Sequence, residues 1–355
     1  MRGETDSMTT AQRIKAEIGL LLYPDVQLAA VHGLTDLFRI ASDMSAAHGD
    51  PQAPAIRVSH WRQVVQENTV QENAAQARAG QGDARQDDTA VECVFDSHPG
   101  PAHKLGHLIA PPSLVMPARM QPMAGFAAWL TERHGEGATL CSVCAGAFLL
   151  GETGLLAGRE ATTHWAFAEA LAARFPAIRV DSARMVIDEG DIITAGGILA
   201  WTDLGLTLVE RLLGPSVMLE TARFLLIDPP GRMQQPYGRF VPRLDHGDAA
   251  VLKVQHWLQA TGAKDHAVPA LAARAGLEER TFLRRFRKAT GLRPTEYAQH
   301  VRIAKAREAL EQSRRPVAQI AWEVGYGDAS AFRKLFQRVT GLAPADYRRR
   351  FGVAA

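Results

Sequence analysis

Two segments near the end of this 355-residue chain repeat each other. The first reads Leu271-Ala272, Gly276-Leu277, Phe282, Phe286, Thr290-Gly291-Leu292, Pro294, Tyr297; the second reads Ile320-Ala321, Gly325-Tyr326, Phe332, Phe336, Thr340-Gly341-Leu342, Pro344, Tyr347. The offset is 49 residues at Ala272/Ala321 and 50 from Phe282/Phe332 onward, which places one extra residue in the second turn. Internal repetition of this kind constrains the fold before any local reading, because each copy must be one supersecondary unit. Leu271, Ala272 and Ala275 space one helical face, as do Ile320, Ala321 and Val324. Gly276 and Gly325 then stand where a helix ends in a left-handed residue, a conformation glycine adopts at little cost. Glu278-Glu279 and Asp328 suit the N-terminus of a second helix. On that helix Phe282/Phe286 and Phe332/Phe336 fall one turn apart and face inward. The opposite face carries Arg280, Arg284, Arg287 and Lys288 in the first copy. In the second it carries Ser330, Arg333, Lys334, Gln337 and Arg338. A short helix, a glycine turn and a basic helix form the helix-turn-helix pattern.

Charge separates the chain into two parts. Residues 249–355 hold 20 Lys/Arg and 9 Asp/Glu, a net of +11, whereas residues 1–248 hold 20 and 29, a net of −9. The mild overall balance of +2 hides a basic end, which suits a polyphosphate partner through counterion release.

The remainder alternates strands and helices. Apolar runs at 18–23, 55–61, 91–95, 105–110, 138–143 and 191–194 read as strands, and amphipathic stretches at 31–40, 121–134, 167–174, 200–213 and 217–226 read as helices. This alternation predicts a parallel α/β sheet, flavodoxin-like, covered on both faces. Residues 1–13 read as a polar leader, 66–88 as a flexible insertion too poor in large apolar groups to order itself, and 231–248 as a linker. The domains expected are therefore 14–230 and 249–352. Three cysteines, Cys93, Cys141 and Cys144, make no disulfide framework and fit a reducing cytoplasm. No apolar run approaches the roughly 20 residues that span a bilayer, and no signal core opens the chain. Gly196-Gly197 lacks the remainder of a phosphate fingerprint, and no Cys/His cluster has metal-ligand spacing. No cofactor or metal is expected.

The doubled helix-turn-helix, the connecting helix 294–312 and the two Thr-Gly-Leu-x-Pro-x-x-Tyr endings resemble the DNA-binding domain of the AraC/XylS family. Upstream, Ser142-Val-Cys144-Ala-Gly146-Ala147, Gly154 to Arg159 and Ala161-Thr162-Thr163-His164-Trp165 resemble the PfpI/ThiJ-like domain of the class I glutamine amidotransferase type. The two together resemble the GlxA-like transcriptional regulators. The resemblance implies a sequence-specific regulator, an activator, that pairs as a homodimer through its α/β domain, senses a small-molecule effector and works with RNA polymerase on double-stranded promoter DNA. It implies DNA contacts from Arg280, Arg284, Arg287, Ser330, Arg333, Lys334, Gln337 and Arg338, and a backbone contact from Arg302 on the connecting helix. It also places Cys144 at the elbow where enzymes of this fold carry a nucleophile, beside His164 and Trp165, which together form the candidate ligand pocket.

The catalytic companions are missing. Ala145 stands where many hydrolytic relatives have histidine, Ala30 where an acid is expected, and Pro111-Pro112-Ser113 where a glycine pair would offer N–H donors. Proline has no N–H to give. The reading is a vestigial catalytic cleft reused for sensing. Its rivals are a cysteine hydrolase or amidotransferase acting through Cys144, with His164 as base, and a redox sensor built on Cys141 and Cys144. A helix N-terminus at the elbow would lower the thiol pKa. Trp61, Trp165 and Trp201 are candidates for lining a cationic pocket, with core packing as the simpler explanation.

Overall fold

The computed structural model describes residues 14–47, 55–65, 89–121 and 123–353. The expected leader 1–13 and the expected insertion 66–88 lie outside the described residues. The chain divides into two compact units, Met1–Gln234 and Gln235–Ala355.

The first unit is built on a seven-stranded sheet. Its strands are β1 (Ile14–Leu22), β2 (Ala55–Val65), β3 (Thr89–Asp96), β4 (His107–Ala110), β5 (Thr139–Val143), β8 (Val186–Asp188) and β9 (Ile192–Ala195), in the order β3-β2-β1-β4-β5-β9-β8. Glu160–Ala161 (β6) and Arg179–Val180 (β7) pair separately. The central strands are parallel, whereas β3 runs antiparallel to β2 and β8 antiparallel to β9. The expected parallel sheet is thus mostly parallel, with an antiparallel strand at each edge. The short links after β8 leave no room for a crossover helix, so the chain turns straight back.

Ile18, Leu20 and Leu21 are fully buried on consecutive and alternate positions of β1, which requires cover on both faces of the sheet. One cover comprises α1 (Leu28–Ala47), α5 (Trp201–Leu213) and α6 (Pro215–Leu225); α2 (Ala124–Gly135) and α3 (Gly146–Glu152) belong to the other. The short α4 (Ala168–Arg174) packs beside α3. Gly33 of α1 sets how closely α5 approaches, since a Cβ there would lie 2.5 Å from the Trp201 ring. Buried charge is paired. Arg57, 2% exposed, donates to both Asp96 oxygens and reaches Glu17 at 3.4 Å.

The second unit holds seven helices among its described residues: α7 (Ala249–Thr261), α8 (Val268–Ala275), α9 (Glu279–Thr290), α10 (Pro294–Gln312), α11 (Val317–Glu323), α12 (Ala329–Thr340) and α13 (Pro344–Phe351). The repeat extends to individual hydrogen bonds. Thr290 Oγ1 donates to the Phe286 carbonyl at 2.8 Å and Thr340 Oγ1 to the Phe336 carbonyl at 2.8 Å, while each hydroxyl also accepts the N–H two residues on. Gly276 (φ +67°) and Gly325 (φ +90°) both adopt left-handed backbone at the turns. The extra residue falls between Gly325 and the start of α12. Asp328 caps that helix, accepting from the Ser330 and Ala331 N–H groups at 2.8 and 3.1 Å.

Candidate nucleic-acid interface and elbow cleft

Each basic helix divides cleanly into two faces. On α9 Phe282 and Phe286 are fully buried, and Arg280, Arg284, Arg287 and Lys288 are exposed. On α12 Phe332 and Phe336 are fully buried, and Ser330, Arg333, Lys334, Gln337 and Arg338 are exposed. Arg280, Arg284 and Arg287 fall at i, i+4 and i+7, one stripe along the helix; Ser330, Lys334 and Gln337 form the same stripe 50 residues later. Among the described residues none of these exposed cations is spent in an ion pair. Arg285 is the contrast: it donates to both Asp248 oxygens at 2.7 and 2.8 Å, which anchors α9 to the cap of α7.

Arg302 is corrected by its surroundings. It is 6% exposed, and its donors go to the carbonyls of Ala263, Lys264 and Gly325 at 2.8, 2.8 and 3.2 Å. With four of its five N–H groups committed inside the protein, to these carbonyls and to His266 Nδ1, this guanidinium is not the free surface cation a phosphate contact needs. Arg307, which sequence reasoning passed over, is also buried. It donates to the carbonyls of Gln235, Pro236 and Gly238 and stacks on Tyr347 at 5.2 Å. A signal for both was present. Ala298, Arg302, Ala306 and Leu310 form one i+4 line on α10, and Ile303 and Leu310 flank Arg307, so the arginines lie in an apolar register.

The elbow follows β5. Cys144 has φ +55°, a left-handed conformation that costs a non-glycine residue about 1 kcal/mol or more. Its N–H donates to the Ala195 carbonyl at 2.8 Å, and its carbonyl accepts from Thr163 Oγ1 at 2.7 Å, which together hold the strained turn. The thiol is not activated. Cys144 is 2% exposed, and burial pushes its pKa up to about 12, outweighing the N–H groups of Ala145 and His164 that draw it down. The expectation that the helix N-terminus lowers it fails because desolvation of a charge exceeds the dipole's help. His164 accepts the Ala166 N–H on Nδ1 at 3.2 Å and stacks with Trp165 and Phe167 at 5.3 and 5.1 Å. Burial lowers its pKa. No hydrogen bond joins its ring to the thiol among the described residues.

The carbonyl oxygens of Ala110 and Pro111 press against the first turn of α3, 2.2 and 2.9 Å from where a Gly146 Cβ would stand. Tyr23 donates its hydroxyl to the Pro111 carbonyl. Pro111 itself has no N–H to offer at this wall, and its carbonyl is taken by Tyr23. Cys141 is fully buried in β5, with its thiol pushed up by burial. The three tryptophans do not gather. Trp61 packs on Trp129 and His103, Trp201 on Gly33, and only Trp165 flanks the elbow.

Gln234 had no signal in the sequence. It is 2% exposed, and its Nε2 donates to Thr162 Oγ1 and to the carbonyls of Thr163 and Arg184 at 3.0, 2.9 and 2.9 Å, while its Oε1 accepts the Trp165 N–H at 3.2 Å. It fills the space beside Gly196, where a Cβ would lie 1.9 Å from it. Arg232, two residues earlier, pairs with buried Asp203. The elbow wall 162–165 is thus built partly from the end of the first unit.

A mostly parallel α/β domain with a nucleophile-type elbow, followed in sequence by a doubled helix-turn-helix whose exposed cations make no ion pair among the described residues, defines the class: a DJ-1/PfpI domain followed by an AraC-type helix-turn-helix domain. The DJ-1/PfpI family profile matches residues 114–211, and a helix-turn-helix domain profile matches residues 271–350. Among named proteins, the chain is 29% identical over 219 residues to the HTH-type transcriptional regulator GlxA of Rhizobium meliloti, covering 61% of this chain and 67% of that one. It is 28% identical over 231 residues to the regulator CdhR of Pseudomonas aeruginosa, covering 62% and 66%. It is 34% identical over 103 residues to the activator RhaS of Salmonella schwarzengrund, covering 29% and 37%. The chain thus spans about two thirds of the length of the first two relatives.

Proposed function

We propose that this protein is a sequence-specific DNA-binding transcriptional regulator, an activator, in which residues 249–352 bind the operator and residues 14–230 sense a small molecule. The observation that carries this reading is the pair of matching stripes, Arg280/Arg284/Arg287 and Ser330/Lys334/Gln337. Each lies on the outer face of a helix whose inner face is pinned by two buried phenylalanines. Two such helices suit successive major-groove segments about 10 base pairs apart. Arginine's planar fork matches guanine, so α9 is the stronger reader of base edges; Arg333 and Arg338 serve phosphate. The α/β domain pairs two copies, and RNA polymerase is the downstream partner.

The α/β domain is not an enzyme in this reading. A thiol whose pKa burial pushes up to about 12, acceptor oxygens at Gly146 and a histidine used as a cap support sensing over hydrolysis. An effector that shifts the wall 162–165 disturbs Gln234, whose next residue, Gln235, begins the DNA-binding unit.

The test is Arg284→Ala in the full chain, with binding measured on a selected operator and on random duplex. Specific affinity should fall by about 1–3 kcal/mol while nonspecific affinity changes little. An unchanged ratio of the two would remove Arg284 from base readout. A thermal-shift screen of small amines, amino acids and acids identifies the effector class, since a binder raises Tm by mass action.

A further inference from the structure

The two halves of the DNA-binding unit do not share a hydrophobic core. The first core, with Phe282, Phe286 and Tyr297, ends on α10 at Val301; the second, with Phe332, Phe336 and Tyr347, begins on α10 at Ile303. The residue between them is Arg302.

Its guanidinium reaches both halves. Nε and Nη2 donate to the carbonyls of Ala263 and Lys264, in the turn between α7 and α8, each at 2.8 Å. Nη1 donates to the Gly325 carbonyl at 3.2 Å, in the turn that leads into α12. Nη2 also meets His266 Nδ1 at 3.0 Å, and Tyr326 lies under the cation at 5.3 Å. Burial and the adjacent guanidinium lower the His266 pKa, which keeps that nitrogen an acceptor. The fit is close on the far side: a Cβ on Gly325 would stand 3.2 Å from Cζ and Nη2. The segment 235–240 also touches both halves, Gln235 donating to the Arg338 carbonyl at 2.6 Å and Phe240 packing on Tyr297 at 5.0 Å, and beside it a groove of about 470 Å³ is lined by Leu292, Glu296, His300, Leu335, Arg338 and Val339.

We infer that Arg302 is a positioning residue that fixes the separation and twist between α9 and α12, and thereby the spacing at which the protein accepts its two DNA half-motifs. This rests on the DNA-binding reading above. Sliding one half-motif by a single base pair moves it about 3.4 Å along the axis and about 35° around it. A joint whose two sides are tied to one rigid planar group cannot follow that movement. Only arginine presents donors in several fixed directions within one plane; a lysine ammonium on the same stem serves one turn or the other.

The experiment is selection from a random-sequence duplex pool by the full chain, by Arg302→Lys and by Gly325→Ala, with folding of each checked by thermal melting. The unaltered protein should return two half-motifs at one separation, and moving either half by one base pair should weaken binding about tenfold or more. The variants should return the same half-motifs at mixed separations, with less than about a threefold loss for the same move. If Arg302→Lys does not fold, Gly325→Ala decides: it keeps the guanidinium, pushes its far contact and strains the turn at φ +90°, so both changes fall on the same joint. A folded variant that keeps a single separation overturns the inference, as does one weakened equally at every separation. Recovery of no motif by the unaltered protein would instead overturn the DNA-binding reading on which the latch depends.

Discussion

Cys144 separates a sensor from an enzyme, and its chemistry can be worked forward. The thiol moves from an ordinary value of 9.0 to about 12, mainly because burial removes water from the thiolate. Three pH units mean about a thousandfold less thiolate at a given pH, or about 4 kcal/mol against ionisation. At pH 8 only about one molecule in ten thousand would carry the nucleophile, against about one in ten for an unperturbed thiol. Cys93, half-buried on the edge strand β3, is an internal comparator. Iodoacetamide labelling of the native protein between pH 7 and 10, followed by peptide mass spectrometry, should modify Cys93 well before Cys144, and the Cys144 rate should still be climbing at pH 10. Linkage adds a second readout. The folded chain keeps the Cys144 proton between pH 9 and about 12, where an unfolded thiol has lost it. This contribution to stability is therefore intact below pH 9 and is lost as pH rises towards 12, so Cys144→Ser should flatten the alkaline fall in Tm. Faster labelling of Cys144 than of Cys93 at pH 7, with a plateau below pH 9, would refute the reasoning and restore the hydrolase reading.

Two further outcomes follow from packing. Phe282→Ala and Phe332→Ala each delete a fully buried ring and should cost about 3–5 kcal/mol. Because the rings belong to separate cores, hydrogen exchange should show each loss concentrated in its own half; equal loosening of both halves by either change would contradict that separation. Gly146→Ala places a methyl 2.2 Å from the Ala110 carbonyl oxygen, so the elbow must shift, and a Tm within a degree of the unaltered protein would show that it need not.

Much of the site was legible because its causes are local. Gly276 and Gly325 end helices in left-handed backbone, Thr290 and Thr340 tie the same turn twice, and phenylalanines one turn apart force the arginines outward. These depend on residues within a few positions of one another, and the repeat states them twice. The strand pattern of the α/β domain was readable for the same reason, since burial on both faces writes a continuous apolar run such as Ile18–Leu22.

Composition and spacing thus determined that this chain makes a parallel-type α/β domain and a doubled helix-turn-helix, and which faces of the basic helices meet solvent, while the antiparallel edge strands emerged only in the fold. Tertiary structure decided what the charged and polar groups at the joints do. The apolar register of α10 marks Arg302 and Arg307 as inward-facing, but only the carbonyls of residues far along the chain decide what they bind, and Gln234 is an unremarked polar residue until it fills the space beside Gly196. The Cys144 thiol depends likewise on burial by distant strands and loops. A side chain's exposure and partners are set by the whole fold, whereas its helical face is set by its neighbours.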